Sequence, residues 1–200
     1  RELAFLNKKL RISITDVRDN KSKEFYFEGG IVSFVEHINT KKNPLFKDVI
    51  HYQNEDDKYI LEVALQYNDG YGESLFSFVN NINTAEGGTH VAGFKSALTK
   101  VCNKRAQEMG VFKKGENFSS DDVREGLVGV ISIKVPEPQF EGQTKDKLGS
   151  PEARGAVESS FGDSFSQFLE ENPDDAKAIL RKAALALKAR KAAKAVKESI

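Results

Sequence analysis

Two hundred residues suffice for one large domain or two small ones, and an apolar share of 39% is enough to build a core. Thirty basic and thirty acidic side chains cancel, which excludes a uniformly basic nucleic-acid binder but leaves local patches open. No apolar run approaches the roughly 20 residues of a membrane span, and no signal peptide precedes the charged start Arg1-Glu2. The single cysteine, Cys102, excludes a disulfide framework and a thiolate cluster, and His37, His51 and His90 lack metal-ligand spacing. The expectation is a cytoplasmic chain with no metal site and no self-contained active site.

Leu10–Val17 alternates polar and apolar residues, and Phe25-Tyr26-Phe27 answers it across the charged turn Asp19-Asn20-Lys21, which predicts a hairpin. After Gly29-Gly30 the spacing of Ile31, Phe34, Val35 and Ile38 becomes helical, with Asn43-Pro44 as the stop. Tyr59, Leu61, Val63, Leu65 and Tyr67 share one face of a strand, and Asn68-Asp69-Gly70 turns the chain into a second strand, Ser74–Val79. Thr89 is the expected N-cap of a helix through Met109, with Val91, Phe94, Leu98, Val101 and Arg105 near one stripe and Gly110 as the stop. Leu127–Val135 is a strand rich in β-branched residues, closed by Pro136-Glu137-Pro138. The glycine-bounded loop Glu141–Gly149 then leads to two helices split by Asn172-Pro173. Strands before and between helices, without regular βαβ alternation, predict an α+β fold. The last helix, alanine-rich and too polar for the core, is expected to project.

Charge is unevenly placed. From Asp174 onward eight basic residues face three acids, so that stretch carries +5 and residues 1–173 carry −5. On a helix, Lys177, Arg181, Lys188 and Lys191 fall within about 80° of one another, and Arg190, Lys194 and Lys197 form a second stripe. Such a helix suits a polyanion, or serves equally as a soluble connector. Lys95, Lys100, Lys104 and Arg105 make a solvated helix face or a weakly signalled basic ridge. Ser119-Ser120-Asp121-Asp122 contains a carboxylate pair but reads better as a helix start, with acids at the positive end of the dipole. Glu86-Gly87-Gly88-Thr89-His90 matches neither phosphate-loop glycine pattern and reads as a strand-to-helix turn, His90 being a packing or capping residue. In Gln143-Thr144-Lys145 a lysine at the tip of a glycine-bounded loop can carry a point charge to a phosphate. Composition alone does not separate it from any other exposed loop lysine.

Family resemblance does. Arg1–Asn7, Tyr26-Phe27-Glu28-Gly29-Gly30, Asn81-Ile82-Asn83-Thr84, Glu86–Phe94, Asp121–Leu127 and Gln143–Gly149, taken in order, resemble the bacterial type II DNA topoisomerases, the gyrase B type first and its topoisomerase IV counterpart behind it. The resemblance covers nearly the whole chain. It implies a transducer domain of the left-handed βαβ type, shared with a small-subunit ribosomal protein, whose mixed sheet packs on helices and whose long C-terminal helix projects. It implies that residues 1–9 end a preceding ATPase domain of the GHKL type, that 10–172 form the transducer, and that 173–200 are a basic connector toward a TOPRIM domain. The ATP-binding asparagine, the ATP lid and a TOPRIM Asp-x-Asp are not in this sequence, and the catalytic tyrosine belongs to a gyrase A-type partner. The chain is therefore expected to belong to an enzyme while being inactive alone, binding no cofactor itself; ATP and Mg²⁺ serve the full enzyme.

By the same resemblance Lys145 touches the γ-phosphate of ATP and Gln143 helps to position it, which agrees with the physical reading of the loop. The family's transducer also lines the cavity for a transported double-stranded DNA, which makes Lys95, Lys100, Lys188 and Lys191 the DNA-facing candidates. Relatives often carry arginine where Lys95 stands; lysine keeps the charge and loses the bidentate fork. Two other readings stand beside this one: the second domain of another GHKL ATPase such as a mismatch-repair protein, and a free-standing nucleic-acid-binding module.

Overall fold

A computed structural model describes residues 1–200. Its centre is a five-stranded mixed sheet. The strands are β3 (Ile50–Glu55), β4 (Ile60–Tyr67), β5 (Ser74–Val79), β6 (Ile82–Asn83) and β8 (Leu127–Lys134), in the spatial order β3-β4-β8-β5-β6. β8 lies antiparallel to β4 and parallel to β5. Alternation along each strand sends residues to opposite faces. Leu61, Val63, Leu65 and Tyr67 of β4 join Leu127, Ile131 and Ile133 of β8 in the main core, while Ala64, Phe78, Val128 and Val130 line the other face.

Three helices cover the main face: α3 (Thr89–Glu108), α5 (Pro151–Glu171) and α6 (Pro173–Glu198). Phe94 of α3 meets Phe161 of α5 with ring centroids 4.8 Å apart. The two helices approach so closely at Gly93 that a Cβ there would lie 2.4 Å from the Arg154 carbonyl oxygen. The other face is covered by α2 (Ile31–Ile38) and α1 (Glu2–Leu6). Phe5 stacks at 3.7 Å on Phe27 and at 4.8 Å on Phe34. The hairpin β1 (Ile12–Asp16) with β2 (Lys21–Phe25) forms a separate two-stranded sheet; the alternation predicts the hairpin, but its second strand starts at Lys21 and ends at Phe25, ahead of Tyr26-Phe27.

Four sequence readings are corrected, and one strand that the sequence reading lacked, β3, is added. β4 and β5 are not a hairpin: β8 inserts between them, so the Asn68-Asp69-Gly70 turn leads across the sheet instead of back along it. β3 carries no clear signal in the sequence, because this edge strand spends every second position on solvent (His51, Gln53, Glu55). α2 ends at Ile38 with Asn39 as its cap, ahead of Asn43-Pro44, because the buried Asn39 amide donates to Gln66 Oε1 at 2.8 Å. The N-cap of α3 is Gly88, φ +130°, and Thr89 is already helical with its hydroxyl unpartnered. The last helix is not excluded from the core: Ala176, Ile179, Leu180, Ala183, Ala186 and Leu187 of α6 are buried, and only the part from Lys188 onward is exposed throughout. Small alanines let its backbone approach α4 and α5, and among its long polar side chains Lys182 is itself buried, with its ammonium donating to the Asp69 carbonyl.

The reading of Asp121-Asp122 as a helix start holds. Ser119 caps α4 (Ser120–Arg124), with its side chain and that of Asp122 closing a reciprocal capping box.

Candidate functional site

The loop carrying Gln143-Thr144-Lys145 is closed at its base and open at its tip. The Glu141 N–H donates to the Lys147 carbonyl at 2.8 Å, and the Gly149 N–H donates to the Gln139 carbonyl at 2.7 Å. Lys147 Nζ pairs with Glu141 at 3.0 Å across the same neck. Beyond the neck, Gln143, Thr144 and Lys145 are all exposed. Lys145 itself adopts the left-handed conformation, φ +58°, and Gly142 has φ +90° with open space about it. The ammonium of Lys145 stands 5.9 Å from the Phe140 ring centroid. A cation on a tip of this kind, partnered by an amide two residues away, suits an anion presented from outside the chain.

The base of the loop is tied to α3. Residues Lys147–Leu148 (β9) pair in parallel with Gly87–Gly88 (β7), and the Glu86 N–H donates to the Asp146 carbonyl at 2.9 Å. Gly88 then caps α3 directly. The Glu86–His90 segment therefore needs its glycines for dihedral and close-approach reasons, as expected: Gly87 has φ +73°, and a Cβ on Gly88 would lie 2.4 Å from the Leu148 backbone nitrogen and oxygen.

A cleft of about 730 Å³ opens beside this joint, lined by Glu86, Gly88, Lys95, Glu141, Lys147 and Arg154 among others. Lys95 is half-buried in its wall. Fifty positions separate Lys95 from Lys145, yet the neck of the Lys145 loop and Lys95 line one cleft. Sequence reasoning missed Lys147 and Arg154 as further cations here. Lys147 lay inside the quoted motif, but Arg154 carried no local signal, since it reaches the cleft only because α5 crosses α3 at Gly93.

The other DNA-facing candidates lie elsewhere. Lys100 bonds the Glu158 carboxylate across α3 and α5, and that bond, with one from Ser96, holds Glu158 below its ordinary pKa against a small burial effect. Lys191 Nζ pairs with Glu116 at 2.7 Å, and Lys188 is exposed on α6. Arg190 grips the buried Asp122 at 3.2 and 2.9 Å. Burial pushes the Asp122 carboxyl up, but the Arg190 and Ser119 bonds outweigh it and leave the group below its ordinary value.

His90 is a packing residue. It is fully buried, its Nε2 lies 3.2 Å from Thr84 Oγ1, and its Nδ1 has no partner; burial lowers its pKa to about 4.

Comparison with known proteins gives this site its setting. A family profile described as DNA gyrase B matches residues 30–199. The DNA gyrase B protein of Clostridium acetobutylicum is 52% identical over 200 residues, and that of Haloferax volcanii is likewise 52% identical; each match takes in 99% of this chain and 31% of the relative. Among solved structures, the 43K ATPase domain of Thermus thermophilus gyrase B, in complex with an aminocoumarin, superposes with a TM-score of 0.87 at 34% identity, covering 100% of this chain and 54% of that one. The topoisomerase IV ATP-binding domain of Francisella tularensis gives 0.78 at 25% identity, over 94% of this chain and 51% of that one. The fold is one shared with gyrase B and topoisomerase IV structures. The chain belongs to the DNA gyrase B family, which sets aside the mismatch-repair reading. It spans about a third to a half of the length of the curated relatives it matches. No helix is long and apolar enough to cross a membrane.

Proposed function

We propose that the chain is the transducer of an ATP-dependent type II DNA topoisomerase of the gyrase B kind. It couples ATP binding and hydrolysis in an adjacent GHKL domain to the gate movements that pass one DNA duplex through another. Residues 1–9 end the ATPase domain, 10–172 form the transducer, and 173–200 lead toward a TOPRIM domain. A gyrase A-type partner and double-stranded DNA complete the assembly, which works in the cytoplasm. The observation that carries this reading is the loop: in a chain of this family, a lysine and a glutamine are held at an exposed tip whose neck is bonded to the glycine pair that opens the helix bearing Lys95.

The residues present fit part of a nucleotide and no more. Lys145 offers one ammonium and Gln143 one amide, donors suited to phosphate oxygens. Adenine, ribose and Mg²⁺ are left to the neighbouring domain. Phosphoryl transfer is mainly positioning and charge stabilisation, so one added cation at the γ-phosphate both speeds the reaction and reports whether that phosphate is there. When the γ-phosphate leaves, the tip loses its counter-charge, and a two-state arrangement of the domain shifts by the differential energy of that contact.

Lys145→Ala in the intact enzyme should slow ATP hydrolysis by ~10²–10³-fold, the usual loss on deleting one transition-state donor. The melting temperature should barely move, since exposed loop substitutions change stability by under about 0.5 kcal/mol. The 200-residue chain alone should show no ATP turnover. Parental hydrolysis in the variant, or Lys145-dependent turnover by the isolated chain, would refute the assignment.

A further inference from the structure

We propose that the short ladder between Gly87–Gly88 and Lys147–Leu148 is the joint that passes the position of the Lys145 loop to α3. Gly88 and Leu148 are then positioning residues, acting on the nucleotide through Lys145. The inference rests on the reading of Lys145 as a γ-phosphate contact and names the path by which that contact is felt elsewhere.

Four observations carry it. The ladder is a sheet of its own, separate from the five-stranded sheet, and it joins these two segments directly. On the loop side, the Asp146 carbonyl, one residue from Lys145, accepts from the Glu86 N–H at 2.9 Å. On the helix side no linker intervenes, because Gly88 is both the last ladder residue and the cap of α3. The fit also has no slack: a single added carbon at Gly88 would sit 2.4 Å from Leu148 backbone atoms, while Leu148 is fully buried in the main core.

The contrast with the tip sets the direction of transmission. About Gly142 there is open space, so the tip is free to follow an anion, whereas the neck is bonded at every step down to Leu148. Displacement entering at Lys145 therefore leaves through Gly88 into the first turn of α3. That turn has hydrogen-bonding capacity unused in this conformation: Thr89 Oγ1 and His90 Nδ1 are both buried without a partner. Buried unpaired polar atoms are rare in folded proteins, and two in one turn give the helix start something to gain in a second arrangement. Lys95 lies within the next two turns, on the wall of the shared cleft.

The test is hydrogen exchange read by mass spectrometry on the full-length enzyme, with and without a non-hydrolysable ATP analogue. With the analogue, exchange should slow at amides 141–148 and also at amides 86–95. The slowing at 86–95 should be a factor of about 5–150, the usual range of coupling between two sites. Lys145→Ala should abolish both responses. In Gly88→Ala, residues 141–148 should still respond while 86–95 no longer does. Gly115→Ala is the control for backbone strain, since Gly115 has φ +79° but nothing within 4 Å, and it should respond as the parent does. If Gly88→Ala fails to fold, the parent and Lys145→Ala patterns decide the matter. A parent in which 141–148 responds and 86–95 does not overturns the joint and leaves the Lys145 reading standing. A parent in which neither responds overturns both.

Discussion

His90 sits fully buried in the first turn of α3, and its neighbours dictate which proton it carries. Ser77 Oγ donates to the Thr84 carbonyl at 2.9 Å, so at 2.7 Å it accepts from the Thr84 hydroxyl. Thr84 Oγ1 is thereby left to accept from His90 Nε2–H at 3.2 Å. The ring is neutral, with a bare Nδ1 that has no donor facing it. Protonation would place a charged, unpaired N–H in the core, and burial accordingly lowers the pKa from 6.5 to about 4. Between those two values the unfolded chain takes up a proton that the folded chain refuses, so stability falls as pH falls through that window. From pH 7 to pH 5 the loss through this one group is about 2 kcal/mol, nearly all of it below pH 6.5. His90→Gln puts an amide donor near the Nε2 position and removes the titration. Urea unfolding at pH 7 and pH 5 should show the parent losing about 2 kcal/mol more than the variant over that interval, even though the variant starts less stable. Equal losses in the two proteins would mean that His90 is not buried neutral and that the Ser77–Thr84–His90 chain is misassigned.

Three further outcomes follow from particular contacts. Arg190→Ala should cost about 1 kcal/mol, less than a fully buried pair because the Arg190 side chain is 48% exposed, and should speed amide exchange from Lys188 to the end of α6. Because the Asp122 carboxyl is held below its ordinary 3.8, this contribution is present above that pH and fades as pH falls through the lowered value, which unfolding of parent and variant between pH 6 and pH 3 will show. Gly93→Ala should destabilise the chain by about 1–3 kcal/mol in urea unfolding, since its Cβ meets the Arg154 carbonyl oxygen of α5. Lys95→Glu in the reconstituted enzyme should reduce strand passage per ATP more than basal hydrolysis, independently of DNA sequence and with a gap that narrows as salt rises; an unchanged ratio across a salt series removes Lys95 from the DNA path.

Local chemistry was legible wherever one segment decides its own structure. The hairpin from Ile12 to Phe25, the glycine dihedrals at 87 and 88, the Ser119 capping box and the break at Asn172-Pro173 all follow from residues within a few positions of each other. What could not be read depends on partners distant in sequence. Whether β5 pairs with β4 or with β8 turns on which neighbour completes the layer, and Ser74–Val79 satisfies either pattern. The burial of the first half of α6 depends on alanines meeting α4 and α5, and the same alanines would serve an isolated helix equally well. At the site, the tip residues Gln143 and Lys145 were found by motif. Arg154 and the shared cleft were invisible, because they arise from the α3–α5 crossing at Gly93.

The distribution of slack decides how such a domain can transmit anything. Apolar clusters clamp the central sheet on both faces, and α1 is stacked onto α2 through Phe5, Phe27 and Phe34, so the body does not deform internally at small cost. Freedom remains at the loop tip and in the outer part of α6. That outer part is itself lashed down near its start, by Arg190 to Asp122 of α4 and by Lys191 to Glu116, before it runs free. On the proposed reading of Lys145, a force applied at the tip and passed on through Gly88 would turn the body, and α6 would turn with it as a lever. Its 26 residues make a rod about 39 Å long at the usual 1.5 Å per residue. A rotation of about 10°, below the roughly 15° of known switching assemblies, would carry its far end about 7 Å. On the proposed reading of Lys145, one lost contact at a phosphate would reach the far end of α6 as a displacement larger than the contact itself, and the ion pairs of Arg190 and Lys191, about two-thirds of the way along the helix, would keep that motion from being absorbed by bending.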